Sequence, residues 1–131
     1  MSKTVIFLCG LIGSGKTTYA IKNFKVFTDL DYLPQYSRKI DQINWTKKLL
    51  KKYDEVCHIT CYPTPEEIEG FKDYRKKYLL VNPNLKQAKS NILIRSRARD
   101  MENLKEVFGA NDEYLKKYQN DLARWEIIWH E

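Results

Sequence analysis

The chain alternates short unbroken apolar runs with longer stretches in which apolar residues recur at helical spacing, and that alternation sets the order of its elements. Val5, Ile6, Phe7, Leu8 and Cys9 form the first such run, so Thr4 to Cys9 reads as a buried strand, and Lys16 to Phe24 reads as the helix after it. "KVFTD" is a short second strand. From Lys39 to Tyr53 the apolar Ile40, Ile43, Leu50 and Tyr53 return to one side of a helix. "EVCHITC" is a third strand. Thr64 caps the next helix, with Pro65 at its first position and Glu67 closing a capping box, and this helix is expected to reach Lys77. "YLLVN" is a fourth strand, ended by Pro83 before a helix that begins near Asn84. The last helix is expected to be capped by Asn111 and to carry Leu115, Tyr118, Leu122, Trp125 and Trp129 along one face. This order is that of an α/β fold, a short parallel sheet of about four strands flanked by helices through right-handed crossovers. In such sheets ligands lie beyond the carboxyl ends of the strands.

Composition narrows the picture. A chain of 131 residues, 43% hydrophobic and 31% charged, suits one globular domain spanning 1–131. No apolar run is long enough to span a membrane, and the apolar stretch of "MSKTVIFLCG" is too short for a secretory signal, so a cytoplasmic location without a membrane partner is expected. Cys9, Cys57 and Cys61 are odd in number and lie in apolar segments, which argues against a disulfide framework. A metal site in "CHITC" is disfavoured because Cys57 and Cys61 share a strand face that His58 does not. The net charge of +6 fits an anionic partner, whether nucleotide, nucleic acid or phosphorylated metabolite, while the paired lysines on the predicted helices read as solvated faces.

The chemistry begins in "VIFLCGLIGSGKTTYA". Gly10, Gly15, Lys16 and Thr17 complete G-x-x-x-x-G-K-[ST] between a strand and a helix, the setting this spacing requires. Glycines let the backbone wrap around phosphates, and the N–H groups from Gly13 and Ser14 through Thr18 give a concentrated positive field at a helix start. Lys16 is placed to reach the β- and γ-phosphates of ATP, and the Thr17 hydroxyl to ligate Mg²⁺. These residues resemble the P-loop nucleoside triphosphate-binding superfamily, and more narrowly its small-molecule and nucleotide kinases, which implies a three-layer P-loop fold. N-K-x-D, D-x-x-G and L-S-G-G-Q stretches, which mark the GTPase and transporter branches, are absent.

"FTDLDYLPQYSR" puts Asp29 and Asp31 at the carboxyl end of the second strand, two residues apart and so on one side of extended chain. An Asx turn ahead of Pro34 is the alternative reading. The pair resembles the D-x-D of shikimate-kinase-like enzymes and, with Arg38, the Asp and downstream Arg of polynucleotide kinases. The resemblance implies that one carboxylate holds the metal's hydration shell and the other orients or deprotonates the acceptor. Neither the third nor the fourth strand ends in a Walker B aspartate, which leaves Asp29 as the metal-side carboxylate and Asp31 as the acceptor-side one. Tyr36 and Arg38, with Tyr32 and Trp45 nearby, are candidates to stack on a base and hold a phosphate.

"LKQAKSNILIRSRARD" carries Arg95, Arg97 and Arg99. On one continuous helix Leu85, Ala88, Ile92, Arg95 and Arg99 share an arc and Arg97 lies nearly opposite. Arg95 and Arg99 resemble the R-x-x-x-R of nucleotide-kinase lids, which implies a short lid around 84–110 that closes over ATP. Asp100 stands where that family often has glycine. "YDEVCHITCYPTPEEIEGF", the lid stretch and a Trp-bearing end together look like small bacteriophage guanylate- or deoxynucleotide-kinase-like proteins. The implied function is transfer of the γ-phosphoryl of ATP, with Mg²⁺, to a nucleotide acceptor such as a (deoxy)nucleoside monophosphate. A polynucleotide 5′-hydroxyl kinase and an ATP-binding module without turnover are the alternatives.

Overall fold

In the computed structural model, which describes residues 3–130, five strands join one sheet: β1 (Thr4–Cys9), β2 (Phe27–Asp29), β3 (Glu55–Ile59), β4 (Arg75–Val81) and β5 (Glu126–Ile128). Their order is β2-β3-β1-β4-β5 and every pairing is parallel. The helices are α1 (Lys16–Asn23), α2 (Lys39–Leu50), α3 (Pro65–Gly70), α4 (Leu85–Arg95), α5 (Ala98–Glu102) and α6 (Leu104–Gln119). Strand side chains alternate between faces, so the central β1 feeds two cores. Val5, Phe7 and Cys9 pack with Ile43 and Leu50 of α2, Ala88 of α4 and Tyr118 of α6. Ile6 and Leu8 pack on the other face with Ala20 of α1 and with Cys57, Leu79 and Val81. The expected helix–sheet–helix layering is therefore present. Burial of each such side chain is worth about 1.5–3 kcal/mol, so the core holds the carboxyl ends of β1, β2 and β3 in fixed relation.

Four expectations are corrected. The helix expected to run from Thr64 to Lys77 stops at Gly70, and Arg75, Lys76 and Lys77 instead open β4, registered on Thr4, Val5 and Ile6. The free edge of β1 satisfies that backbone, which outweighs the helical propensity of lysine. The last helix starts at Leu104 and ends at Gln119, so Asn111 lies in its interior and not at its cap. Trp125 and Trp129 leave it entirely: residues Leu122–Arg124 form a 3₁₀ turn, and Glu126–Ile128 pairs with Leu79, Leu80 and Val81 as a fifth strand. The helical spacing of those tryptophans was coincidental, since β4 offered an unpaired edge to a β-branched "EII". Finally, the fourth helix is broken at Ser96, which turns left-handed at φ 51°, before α5 begins.

Among the described residues no helix is long and apolar enough to cross a membrane, and no group of three or more His, Cys, Asp or Glu is placed to hold a metal. Cys57 and His58 do face opposite sides of β3, as period two requires.

Candidate active site

The glycine loop joins β1 to α1 and is built by its neighbours as much as by its own glycines. Gly13 sits at φ 84°, and a Cβ there would lie 2.7 Å from the Ala88 carbonyl oxygen and 2.9 Å from Ile92. Gly15 precedes α1 at φ 91°. Both conformations favour glycine on steric grounds. Three asparagines pin the loop from outside. Asn111 of α6 accepts from the Ile12 N–H at 2.7 Å and donates to the Ile12 carbonyl at 3.0 Å. Asn91 of α4 donates to the Gly13 carbonyl at 2.9 Å, and Asn82 at the end of β4 donates to that of Ser14 at 3.1 Å. Loop carbonyls are thus turned toward the protein, while the first-turn N–H groups of α1 have no helical acceptor of their own. Sequence pattern pointed to none of these three contacts; Asn111 was expected to cap the last helix, and Asn82 and Asn91 carried no expectation.

A cleft of about 480 Å³ opens over this loop. Gly13, Ser14, Gly15, Lys16, Thr17 and Thr18 line it, with Asp29, Asp31, Arg95, Arg97 and Arg99; Gly10 lies behind the wall. The Lys16 ammonium donates to the Leu11 carbonyl at 3.1 Å, folding back over the loop, and approaches the Cys61 sulfur at 3.7 Å. Thr17 Oγ1 donates to Asp29 Oδ2 at 2.9 Å. The other oxygen of Asp29 accepts from the Asp31 backbone at 3.0 Å, so the carboxylate is fixed. An all-oxygen pair of a hydroxyl and a buried carboxylate beside a phosphate-sized cradle suits a hard divalent cation.

Asp31 points across the cleft. Arg99 grips it with both ends of its guanidinium, at 3.1 and 2.8 Å, and Arg97 lies 3.5 Å away. Burial alone would raise the Asp31 pKa, but the Arg99 hydrogen bonds and the charges of Arg99, Arg97 and Lys16 hold the carboxyl below its ordinary range. Arg95 contacts Asp100 at 3.5 Å. The break at Ser96 therefore brings Arg97 to the same cleft as Arg95 and Arg99, whereas a continuous helix would have turned it away.

Tyr36 is 91% exposed at φ 71°, and Arg38 is exposed, its backbone capping α2 through Asp41. Neither lines the cleft; the adjacent Lys39 does. Lys39 also lines a second cavity of about 760 Å³, which shares Thr60 and Cys61 with the first. Its walls include Tyr62, Pro63, Tyr114 and Lys117, with the Lys117 ammonium 5.4 Å from the Tyr62 ring centre. The Tyr118 hydroxyl donates to the Cys61 carbonyl and so fixes the loop between the cavities.

Beneath that rim lies a buried polar network. Glu67 accepts from His58 Nε2 at 2.5 Å and from the Thr64 N–H at 3.0 Å, and its carboxylate can only accept, so His58 donates. The neutral ring then accepts at Nδ1 from Thr46 at 2.7 Å. Burial drives the His58 pKa down against the pull of Glu67. For Glu67, burial would raise the pKa, but the His58 hydrogen bond and the Lys39 charge prevail and lower it. Gln42 completes the network by donating to the Ile59 carbonyl at 2.9 Å.

No family model matches this sequence, and no curated protein matches it. Solved structures do. A deoxyadenosine kinase from M. mycoides with bound dATP aligns over 94% of this chain and 89% of its own, with a TM-score of 0.57 at 13% identity. The same enzyme with dCMP and a flexible dCDP aligns over 97% and 89%, with a TM-score of 0.58 at 15% identity. The chain therefore shares the parallel α/β fold of these P-loop kinases.

Proposed function

We propose that the chain is a P-loop kinase that transfers the γ-phosphoryl of ATP to a nucleoside or nucleoside monophosphate. The observation that carries this reading is the pair of cavities meeting at Lys39, Thr60 and Cys61: one lies over a phosphate-type loop, and the other is walled by tyrosines and a lysine. Phosphoryl transfer is mostly positioning and charge compensation, and it needs a donor site that opens onto an acceptor site. The fold shared with an enzyme whose structures hold dATP and dCMP supports a nucleotide-class acceptor, of the deoxynucleotide kind that the sequence resemblance implies.

In this reading Lys16 and the loop N–H groups hold the triphosphate. Thr17 and Asp29 hold Mg²⁺, which offsets phosphate charge when bound. The α4–α5 segment is the lid, and its arginines meet the transferring group. With a hydroxyl acceptor, the acceptor oxygen bonds to the γ-phosphorus as the bond to the β,γ-bridging oxygen breaks. The electron pair leaves with ADP and the acceptor's proton passes to Asp31. Triphosphate competes with Asp31 for Arg97 and Arg99, so donor binding frees the base.

Titration calorimetry with ATP, coupled to ADP release on deoxynucleosides, their monophosphates and a 5′-hydroxyl oligonucleotide, tests this. ATP should bind, Lys16→Ala should lose that binding with a native circular-dichroism spectrum, and a deoxynucleoside or its monophosphate should drive ADP release. Unchanged ATP affinity in Lys16→Ala overturns the loop assignment. Release only on the oligonucleotide makes the chain a polynucleotide kinase, and binding without release makes it a module without turnover.

A further inference from the structure

We infer that Lys39 is a catalytic cation that contacts the phosphoryl group in transit, held at the shared rim of the two cavities by the buried Glu67. The inference rests on the two-cavity reading above and adds to it a residue outside the glycine loop and the arginine segment. Lys39 opens α2, and among the described residues it is one of three that line both cavities, the others being Thr60 and Cys61. A group passing from donor to acceptor crosses that rim.

The ammonium is held without being used up. It donates to Gln42 Oε1 at 3.1 Å and to Thr60 Oγ1 at 3.3 Å, two of the three hydrogen bonds an ammonium can make. Glu67 lies 3.6 Å away, close enough for charge attraction but beyond a hydrogen bond, and the Lys39 side chain keeps 22% of its surface exposed. Glu67 takes its hydrogen bonds from His58, Thr60 and the Thr64 N–H, none of them carrying charge, so Lys39 serves as its counter-ion without being one of its hydrogen-bond donors. The carboxylate thereby acts as a positioning residue: fully buried and fastened to β3 through His58, it draws a flexible side chain to one point. The end of β3 carries Thr60 and Cys61 in place of an acid, which leaves Glu67 as the carboxylate that attracts Lys39. Across the Cys61 sulfur stands Lys16, which places a second ammonium on the same cleft. Preorganised cations aimed at developing charge act most strongly in the transition state.

The test compares Lys39→Met, which keeps length and loses charge, with Lys39→Arg, which keeps charge. Turnover of Lys39→Met should fall about 100-fold or more while ATP affinity changes less than about threefold, and Lys39→Arg should recover part of the loss. Melting temperatures establish that both variants fold. A second measurement needs no turnover: a mixed dinucleoside pentaphosphate, with adenosine at one end and a deoxynucleoside at the other, should bind the wild type more tightly than ATP does. Lys39→Met should lose about tenfold or more of that advantage. Wild-type turnover and analogue binding in a folded Lys39→Met overturn the Lys39 assignment alone, as does a loss of ATP affinity that accounts for the whole effect. An analogue that binds the wild type no better than ATP overturns the two-cavity reading, and the role of Lys39 with it.

Discussion

Asp31 illustrates how one residue is committed to two partners. Its carboxylate is gripped by Arg99 and neighboured by Arg97, so the group proposed to activate the acceptor also holds the arginine segment onto the cleft. Asp31→Asn keeps the size and removes both the basicity and the charge. Turnover should drop about 10²- to 10⁴-fold, the usual span for a general base, while ATP affinity holds or rises because the arginines are released to phosphate. Steady-state kinetics beside calorimetry reads both quantities, and wild-type turnover would remove Asp31 from the mechanism. At this scale the glycine loop was legible because its glycines, Lys16 and Thr17 sit within one short window. The asparagines that pin it were not. Asn82, Asn91 and Asn111 reach across 68, 78 and 99 residues of chain, and no local spacing records such a bond.

The arginine segment shows what an element adds to its residues. Helical arithmetic treats Arg95, Arg97 and Arg99 as points on one cylinder, but the left-handed turn at Ser96 ends α4 and restarts the register in α5. Arg97 becomes the residue before α5 and approaches Asp31 together with Arg99, whereas Arg95 pairs with Asp100 inside the segment. Arg97→Ala and Arg99→Ala should therefore lower turnover by comparable factors, about 10³ if each meets the transferring phosphoryl, with much smaller changes in ATP affinity. The opposite pattern, a silent Arg97→Ala beside a damaging Arg99→Ala, would restore the continuous helix. Single-residue kinetics with ATP saturating distinguishes the two.

Across the whole molecule, the His58–Glu67 pair ties α3 to β3, and through Thr46, Thr28 and Gln42 it reaches α2 and β2. This makes stability depend on pH in a defined direction. Burial lowers the His58 pKa below its ordinary 6.5, so as pH falls through 6.5 the unfolded chain takes up a proton that the native state refuses. Glu67 is lowered from 4.5, with the same sign. Both contributions are fully present above pH 6.5 and are lost on acidification, His58 first and Glu67 below 4.5. Melting temperature followed from pH 8 to pH 4 should stay level above about 6.5, then fall and steepen, and His58→Gln should abolish the upper phase. A level profile through pH 5 would contradict a neutral buried His58.

Local pattern alone was enough for the order of β1 to β4, the glycine loop, the capping box at Thr64 and Glu67, and the presence of Asp29 and Asp31 at the carboxyl end of β2. Each of these depends on residues a few positions apart, whose geometry the chain itself dictates. The fifth strand, the break at Ser96, the early start of β4, the asparagine supports and the two-cavity rim at Lys39 arose only when distant segments met. The physical cause is the same in each case: an unpaired strand edge, a loop carbonyl or a buried carboxylate takes whichever partner packing brings to it, and that partner's position in the chain is unrelated to its distance in space.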